Sequence, residues 1–320
     1  MYDVSERHSS DMRKEEFYYD SYGNTNKIHA IKWVPEGTPL CIVQIVHGMA
    51  EHVGRYDEFA TFLTDRNIMV VGADHLGHGL SMGENPPGYF CEQQPDRVLV
   101  EDVRNLKNII RKEYIDIPYI MFGHSMGSFI TRNFIHTYSS EIDGVILSGT
   151  GMLPKALLTV MKALVNVLIL AKGSRYKSAF ADKIAFGGYR DRIDNPQTDY
   201  DWLSTDREKV KEYLQDSLCG FTFTLNGFKG LAGLLSGLYD REKIATIEKN
   251  FPMYFIYGDQ DPVGDYGKSA YKSCCVYTDA GMNRVSCKVY PGKRHELLHE
   301  DIREKVMEEI YAWIYKEIMR

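Results

Sequence analysis

The sequence predicts an α/β protein: a mostly parallel central sheet flanked by helices, with an inserted helical cap. Three observations predict it. Short apolar runs at 41–46, 68–71 and 119–122 are each bounded by Gly, Pro or polar residues. Segments with helical spacing, near 56–63 and 98–110, separate them, as in a sheet covered on both faces. From about residue 151 to 246 this alternation stops, then resumes.

The elements follow in order. Residues 15–22 alternate weakly, Gly23-Asn24 offers a turn, and 28–34 is strand-like, so the chain opens on an antiparallel hairpin. After the first three apolar runs come a helical pattern at 126–138 and a strand at 145–148. The inserted stretch contains a strongly apolar helical segment at 152–170 and helical patterns at 208–218 and 228–238. Alternation returns through 251–257, 269–277 and 285–290, and a closing helix spans 300–318. The expected division is therefore a first core part at 1–150, a helical cap or lid at 151–246, and a second core part at 247–320. The insert interrupts strands whose carboxyl ends carry ligand sites in open sheets, which favours a cap over extra packing.

Composition excludes several classes. With 320 residues the chain exceeds one simple core. The net charge of −6 offers no basic field for nucleic acid. The first residues, MYDVSERHSSDMRKEE, lack the apolar core of a secretory signal. The apolar 152–171 stretch is broken by Pro154, Lys155, Lys162 and Asn166, so it is no membrane span. The six cysteines form no C-x-x-C pair, and they read as reduced thiols of a cytoplasmic protein.

The strongest motif is Gly123-His124-Ser125-Met126-Gly127. A strand-like run precedes this G-x-S-x-G and a helical pattern follows it, the setting of a nucleophile elbow in the α/β-hydrolase fold. Ser125 must hold a strained backbone at a sharp turn, so the positions two away must lack side chains. An acyl-transfer oxyanion then needs two backbone donors. The N–H of Met126, after the nucleophile, is one. The 41–46 strand ends in His47-Gly48-Met49, and the N–H of Met49 is the candidate second donor.

The expected chain order is Ser, then acid, then His. After Ser125 only His136, His295 and His299 remain. His136 falls in the helix after the elbow and reads as structural. His295 follows a late strand and the turn 291–294, where the general base belongs. The acid should follow the preceding strand, where Asp259, Asp261 and Asp265 are all available.

At these residues the chain resembles the monoacylglycerol lipase and lysophospholipase branch of the α/β hydrolases. The matching pieces are HGMAEHVGRY (47–56), GADHLGHGLS (72–81), GHSMGS (123–128), YGDQDPVG (257–264) and GKRHELLHE (292–300). NPQTDYDWLSTD (195–206) is similar to the cap stretch of bacterial lysophospholipases. The resemblance implies a Ser125, Asp261 and His295 triad, an oxyanion hole at Met49 and Met126, and no metal or organic cofactor. It also places Glu51 and Arg55 near the glycerol end of the substrate; an internal salt bridge holding the loop is the other reading of that pair. The family's second His, three residues after the base, is replaced by Leu298, with His299 one residue later. The implied activity is ester hydrolysis on a small-molecule acyl ester or lysolipid, through an acyl-enzyme on Ser125. The greasy 152–170 stretch would serve an acyl chain, with a buried cap helix as the other reading, or, if its face is exposed, touch a membrane surface.

Rival readings remain. A small-molecule carboxylesterase or an aminopeptidase-like amidase would use the same triad. His295-Glu296-Leu297-Leu298-His299 spells H-E-x-x-H, a zinc metallopeptidase signature that requires a helix presenting both His on one face. A second group, His47, His52, Asp74, His75 and His78, could hold a metal if its loops converged. The alternative is a turn on Gly77 and Gly79 packed by the histidines.

Overall fold

The computed structural model describes residues 12–23 and 26–320. The chain opens on an antiparallel hairpin of β1 (Arg13–Asp20) and β2 (Lys27–Val34). The Asn24 of its turn, like residues 1–11, lies outside the described residues. Then follow β3 (Cys41–Val46), α1 (Asp57–Thr64), β4 (Ile68–Ala73), α2 (Pro95–Glu113), β5 (Tyr119–His124), α3 (Met126–Tyr138) and β6 (Gly144–Ser148). Five helices separate β6 from the next strand: α4 (Lys155–Lys172), α5 (Ala179–Phe186), α6 (Arg207–Gln215), α7 (Leu225–Gly237) and α8 (Arg241–Thr246). The chain ends with β7 (Met253–Gly258), α9 (Lys268–Asp279), β8 (Val285–Tyr290) and α10 (Arg303–Glu317).

The eight strands of the described residues form one sheet in the order β1-β2-β4-β3-β5-β6-β7-β8. Only the pairings of β1 with β2 and of β2 with β4 are antiparallel; the rest are parallel. Every residue of β3, β4, β5, β6 and β7 is buried. That double coverage explains why these segments read as unbroken apolar runs. Alternate side chains divide between two cores. Ile42, Met69, Met121 and Phe255 face α2, α3 and α7, while Val43, Val70, Phe122 and Ile256 face α1 and α10.

Topology places the site. From β3 the chain moves one way to β4, then crosses to β5 on the other side of β3. The connections leaving β3 and β5 run to opposite sides of the sheet there, the switch point at whose carboxyl end open α/β sheets bind ligands. The loop after β3 carries Gly48 and Met49, and β5 ends at Ser125.

Two findings refine the sequence reading of 151–246. Helix α7 packs on α2, α3 and α4, so part of the inserted stretch builds a layer of the core. Its glycines permit this: a Cβ on Gly230 would lie 2.8 Å from the Phe90 ring, and one on Gly233 would lie 2.6 Å from the Asp96 carboxyl. Helix α4 is the reverse case. Only Leu158 and Val165 are buried, and Val160, Val167 and Leu170 are exposed, the last by 89%. No helix among the described residues is long and apolar enough to cross a membrane.

Candidate active site

Ser125 sits between β5 and α3 at φ 51° and ψ −120°. A non-glycine residue in such a region costs about 1–3 kcal/mol and persists only where its surroundings enforce it. They do. The Ser125 N–H donates to Ser148 O on β6 at 2.9 Å, and Ser128 Oγ donates to Ser125 O at 2.6 Å. A Cβ on Gly127 would lie 1.8 Å from Val46 O, and one on Gly123 2.8 Å from Gly127 O. The two glycines of the motif are what lets the elbow press against the end of β3.

The β3 loop closes on the same point. A Cβ on Gly48 would meet Ser125 Cβ at 3.1 Å, so the loop backbone runs directly beside the serine. Met49 comes next, and its N–H has no protein acceptor among the described residues. Met126 opens α3, so its N–H has no intrahelical acceptor and lies at the positive end of the helix dipole.

His295 follows β8 and is 2% exposed; its Nδ1 lies 2.9 Å from Asp261 Oδ2 in the loop after β7. The other Asp261 oxygen accepts the Val263 N–H at 2.9 Å. Of the three acids the sequence offered, this is the one on the imidazole. Asp259 instead accepts the Gly292 N–H at 2.7 Å and holds the turn leading to His295. The imidazole is tied to the elbow through shared neighbours. The His124 ring lies 4.7 Å from it, and a Cβ on Gly149, next to Ser148, would meet His295 Cε1 at 2.9 Å. Burial by itself disfavours the imidazolium. Asp261, helped by Glu296 and Glu51, outweighs it and raises the His295 pKa above the ordinary value. His124 is the opposite case: burial, then the nearby His295, push it down to about 4, so it stays neutral.

Glu51 and Arg55 are engaged inside the protein. Glu51 Oε1 accepts the Gly48 N–H at 2.5 Å and the Tyr56 hydroxyl at 3.0 Å. Arg55 donates to Glu51 at 2.8 Å and, through both terminal nitrogens, to Glu296 at 2.7 Å. The pair occupies the internal salt bridge that the sequence left open, and through Gly48 it fixes the loop beside Ser125.

The zinc reading of H-E-x-x-H is corrected by the same contacts. Residues 295–299 form a loop and one 3-10 turn, Leu297–His299, so no helix aligns the two histidines. Nδ1 of His295 is held by Asp261, Glu296 by Arg55, and His299 Nε2 donates to Arg55 O at 3.3 Å. Burial works to raise Glu296, but Arg55 holds its carboxyl well below the usual carboxylate range.

In the other histidine group, His52 stands apart, its Nε2 2.8 Å from Asp216 Oδ2, and the remaining members are scaffolding. His47 Nε2 accepts the His75 N–H at 3.0 Å, His75 Nε2 donates to His47 O at 3.1 Å, and His78 Nε2 accepts the Ala50 N–H at 3.2 Å. Burial pushes His75 down to about 4 and His78 to about 3, which keeps both neutral. Asp74 accepts from His29, Val53 and Leu80, each at 2.9 Å. Together they brace the loop after β3 against the loop after β4. His136 is structural too, with Nε2 3.1 Å from the Tyr277 hydroxyl.

Residues 37–302 match the hydrolase family described as serine aminopeptidase, S33. The chain belongs to this family. Among its relatives, the monoacylglycerol lipase of Mycolicibacterium smegmatis is 27% identical over 288 residues, covering 89% of this chain and 92% of that protein. The monoglyceride lipase of Rattus norvegicus is 28% identical over 290 residues, covering 89% of this chain and 86% of that one. Of solved structures, a thermostable carboxyl esterase from Bacillus coagulans, in complex with glycerol, is 31% identical. It superposes with a TM-score of 0.89 over 96% of this chain and 99% of that one. The α/β-hydrolase fold expected from the elbow is the fold of this family member.

Sequence reasoning missed Trp202, whose ring lies 5.1 Å from His295, and Arg294, which donates to Asp201 O and Ser204 O. The only available signal was the 195–206 motif. Nothing in its spacing says which loop it docks on.

Proposed function

We propose that this protein hydrolyses carboxylic esters of acyl lipids, of the monoacylglycerol or lysophospholipid class, through an acyl-enzyme on Ser125. The observation that carries the reading is the buried His295–Asp261 pair at 2.9 Å beside a strained serine elbow. Ser125 Oγ attacks the acyl carbonyl while His295 Nε2 takes its proton. Asp261 fixes the tautomer and stabilises the imidazolium. The N–H groups of Met49 and Met126 receive the oxyanion, and losing one such donor typically costs about 3 kcal/mol. The alcohol leaves with the proton from His295. Water, deprotonated by the same imidazole, then releases the fatty acid and restores Ser125.

The named activities of the relatives support an acyl ester as substrate, and the glycerol bound by the esterase suits a small polyol leaving group. Residues 151–246 serve as the cap, its α7 anchored on the core. The exposed apolar side chains of α4, and Phe180 and Ile184 of α5, suit transient contact with a lipid surface. The family description makes a peptide amide the second reading.

A hydrolysis panel with and without a chelator tests this. It would contain short and long acyl p-nitrophenyl esters, monoacylglycerol, lysophosphatidylcholine and an aminoacyl anilide, with Ser125→Ala as the blank. Chelator-insensitive activity that vanishes in Ser125→Ala, highest on the long acyl esters, is expected. Activity surviving in Ser125→Ala would sink the acyl-enzyme, and preference for the anilide would move the protein to amide chemistry.

A further inference from the structure

The segment 201–206 lies far in sequence from the general base proposed above, yet it is fastened to that base's loop. Arg294 Nη1 donates to Asp201 O at 2.7 Å and to Ser204 O at 2.9 Å. The Glu296 N–H donates to Leu203 O at 2.7 Å, and Ser204 Oγ donates to His299 O at 2.8 Å. The Thr205 N–H and the Arg294 N–H share the fully buried Glu300 carboxylate, at 3.1 Å and 2.8 Å. This seam brackets His295 on both sides, and residues 201–203 form a 3-10 turn that presents Trp202. The Trp202 ring lies 5.1 Å from the His295 ring at 44°, and Tyr189 backs it edge-on at 4.9 Å.

We infer that Trp202 is a positioning residue for His295, fixed to the base's own loop so that one indole face holds the imidazole and stabilises its protonated form. This rests on the triad reading above. The imidazole then has four close neighbours: Asp261 at Nδ1, the His124 ring at 4.7 Å, the Gly149 backbone against Cε1, and the Trp202 ring at 5.1 Å. The charged or titratable groups acting on it are Asp261 from the β7 loop, Glu296 from its own loop and Glu51 from the β3 loop, with His124 from the end of β5. Three of them are carboxylates, and the fourth, His124, is a second imidazole whose own charge would oppose that of His295. An indole supplies an aromatic face that attracts a cation, and it also excludes water from the ring during proton transfer.

The test compares Trp202→Leu, Trp202→Phe and Ser125→Ala on a short p-nitrophenyl ester across pH. The Leu variant keeps apolar bulk but loses the π face. Its kcat is expected to fall about tenfold or more with KM little changed, as for a misplaced base. The acid limb of its kcat/KM profile should move down by about half a unit. The Phe variant should keep the parental limb and recover most of kcat. Should the Leu variant fail to fold, the parent provides a second readout. Of the three tryptophans, Trp33, Trp202 and Trp313, only Trp202 stands against His295. Its indole fluorescence, quenched by a protonated imidazole, should titrate with the acid limb, and the change should vanish in Trp202→Phe. A Leu variant with parental kcat and limb, a Phe variant as impaired as Leu, or fluorescence blind to that titration would overturn the inference. Each would do so while Ser125→Ala stays inactive. An active Ser125→Ala would instead remove the triad on which it rests.

Discussion

Replacing Arg55 with Met removes the guanidinium that bridges two buried carboxylates. Arg55 is 9% exposed at its side chain, Glu51 2% and Glu296 5%. Neither acid can reach bulk water once the guanidinium is gone. Breaking a buried pair in this way costs about 3–5 kcal/mol, because a charge is left without compensation. With an unfolding entropy of roughly 2.1 cal/mol/K per residue, the 320-residue chain should lose about 4–7 °C in Tm. Denaturant unfolding and calorimetry would measure it. Adding Glu51→Gln and Glu296→Gln should return much of the loss, since amides tolerate burial that lone carboxylates do not. The activity readout separates the two readings of Glu51 and Arg55. If they brace the Gly48 loop, kcat falls in parallel on p-nitrophenyl butyrate and on monoacylglycerol. A stability loss below about 1 kcal/mol, the range of exposed ion pairs, would refute the reasoning. So would a loss confined to monoacylglycerol with unchanged stability, which would place the pair on the glycerol.

Two further outcomes follow from the same contacts. The His295 pKa is raised, and the base must be neutral, so kcat/KM should be full at alkaline pH and decline as pH falls through a value above about 6.5; a pH–rate profile whose acid limb lies below that value would contradict the Asp261 pairing. For stability the sign is opposite: this group stabilises the fold below its unfolded pKa, and the contribution is lost as pH rises through the folded value. Gly127→Ala should abolish activity and cost more than about 3 kcal/mol, since its Cβ would stand 1.8 Å from the Val46 carbonyl, backbone that cannot turn aside. Labelling of Ser125 by a fluorophosphonate, read beside the melting curve, would check it; parental labelling would show that the elbow tolerates a side chain there.

Much of the architecture was legible in the sequence because parallel strands buried on both faces must be apolar throughout, and helices between them must be amphipathic. That rule located β3, β5 and α3 almost residue for residue. The elbow was legible for a related reason: a strained serine needs glycines two positions away on either side, a purely local demand. Other features were settled only in three dimensions. Asp259, Asp261 and Asp265 share one loop and one chemistry, and the path of the chain after β7 decides which carboxylate meets His295. The H-E-x-x-H pentapeptide carries its zinc meaning only on a helix, and packing of Glu296 against Arg55 gives it a loop instead. The apolar pattern of 152–170 specifies a helix but not its solvent, and α4 is held with most of that surface exposed. Trp202 is the extreme case. Its role depends on hydrogen bonds between segments some ninety positions apart, as in the Arg294 contact to Ser204, and no local periodicity encodes a contact at that range. Local backbone demands and burial periodicity are written residue by residue; the pairing of distant loops arises only when the sheet order brings their ends together.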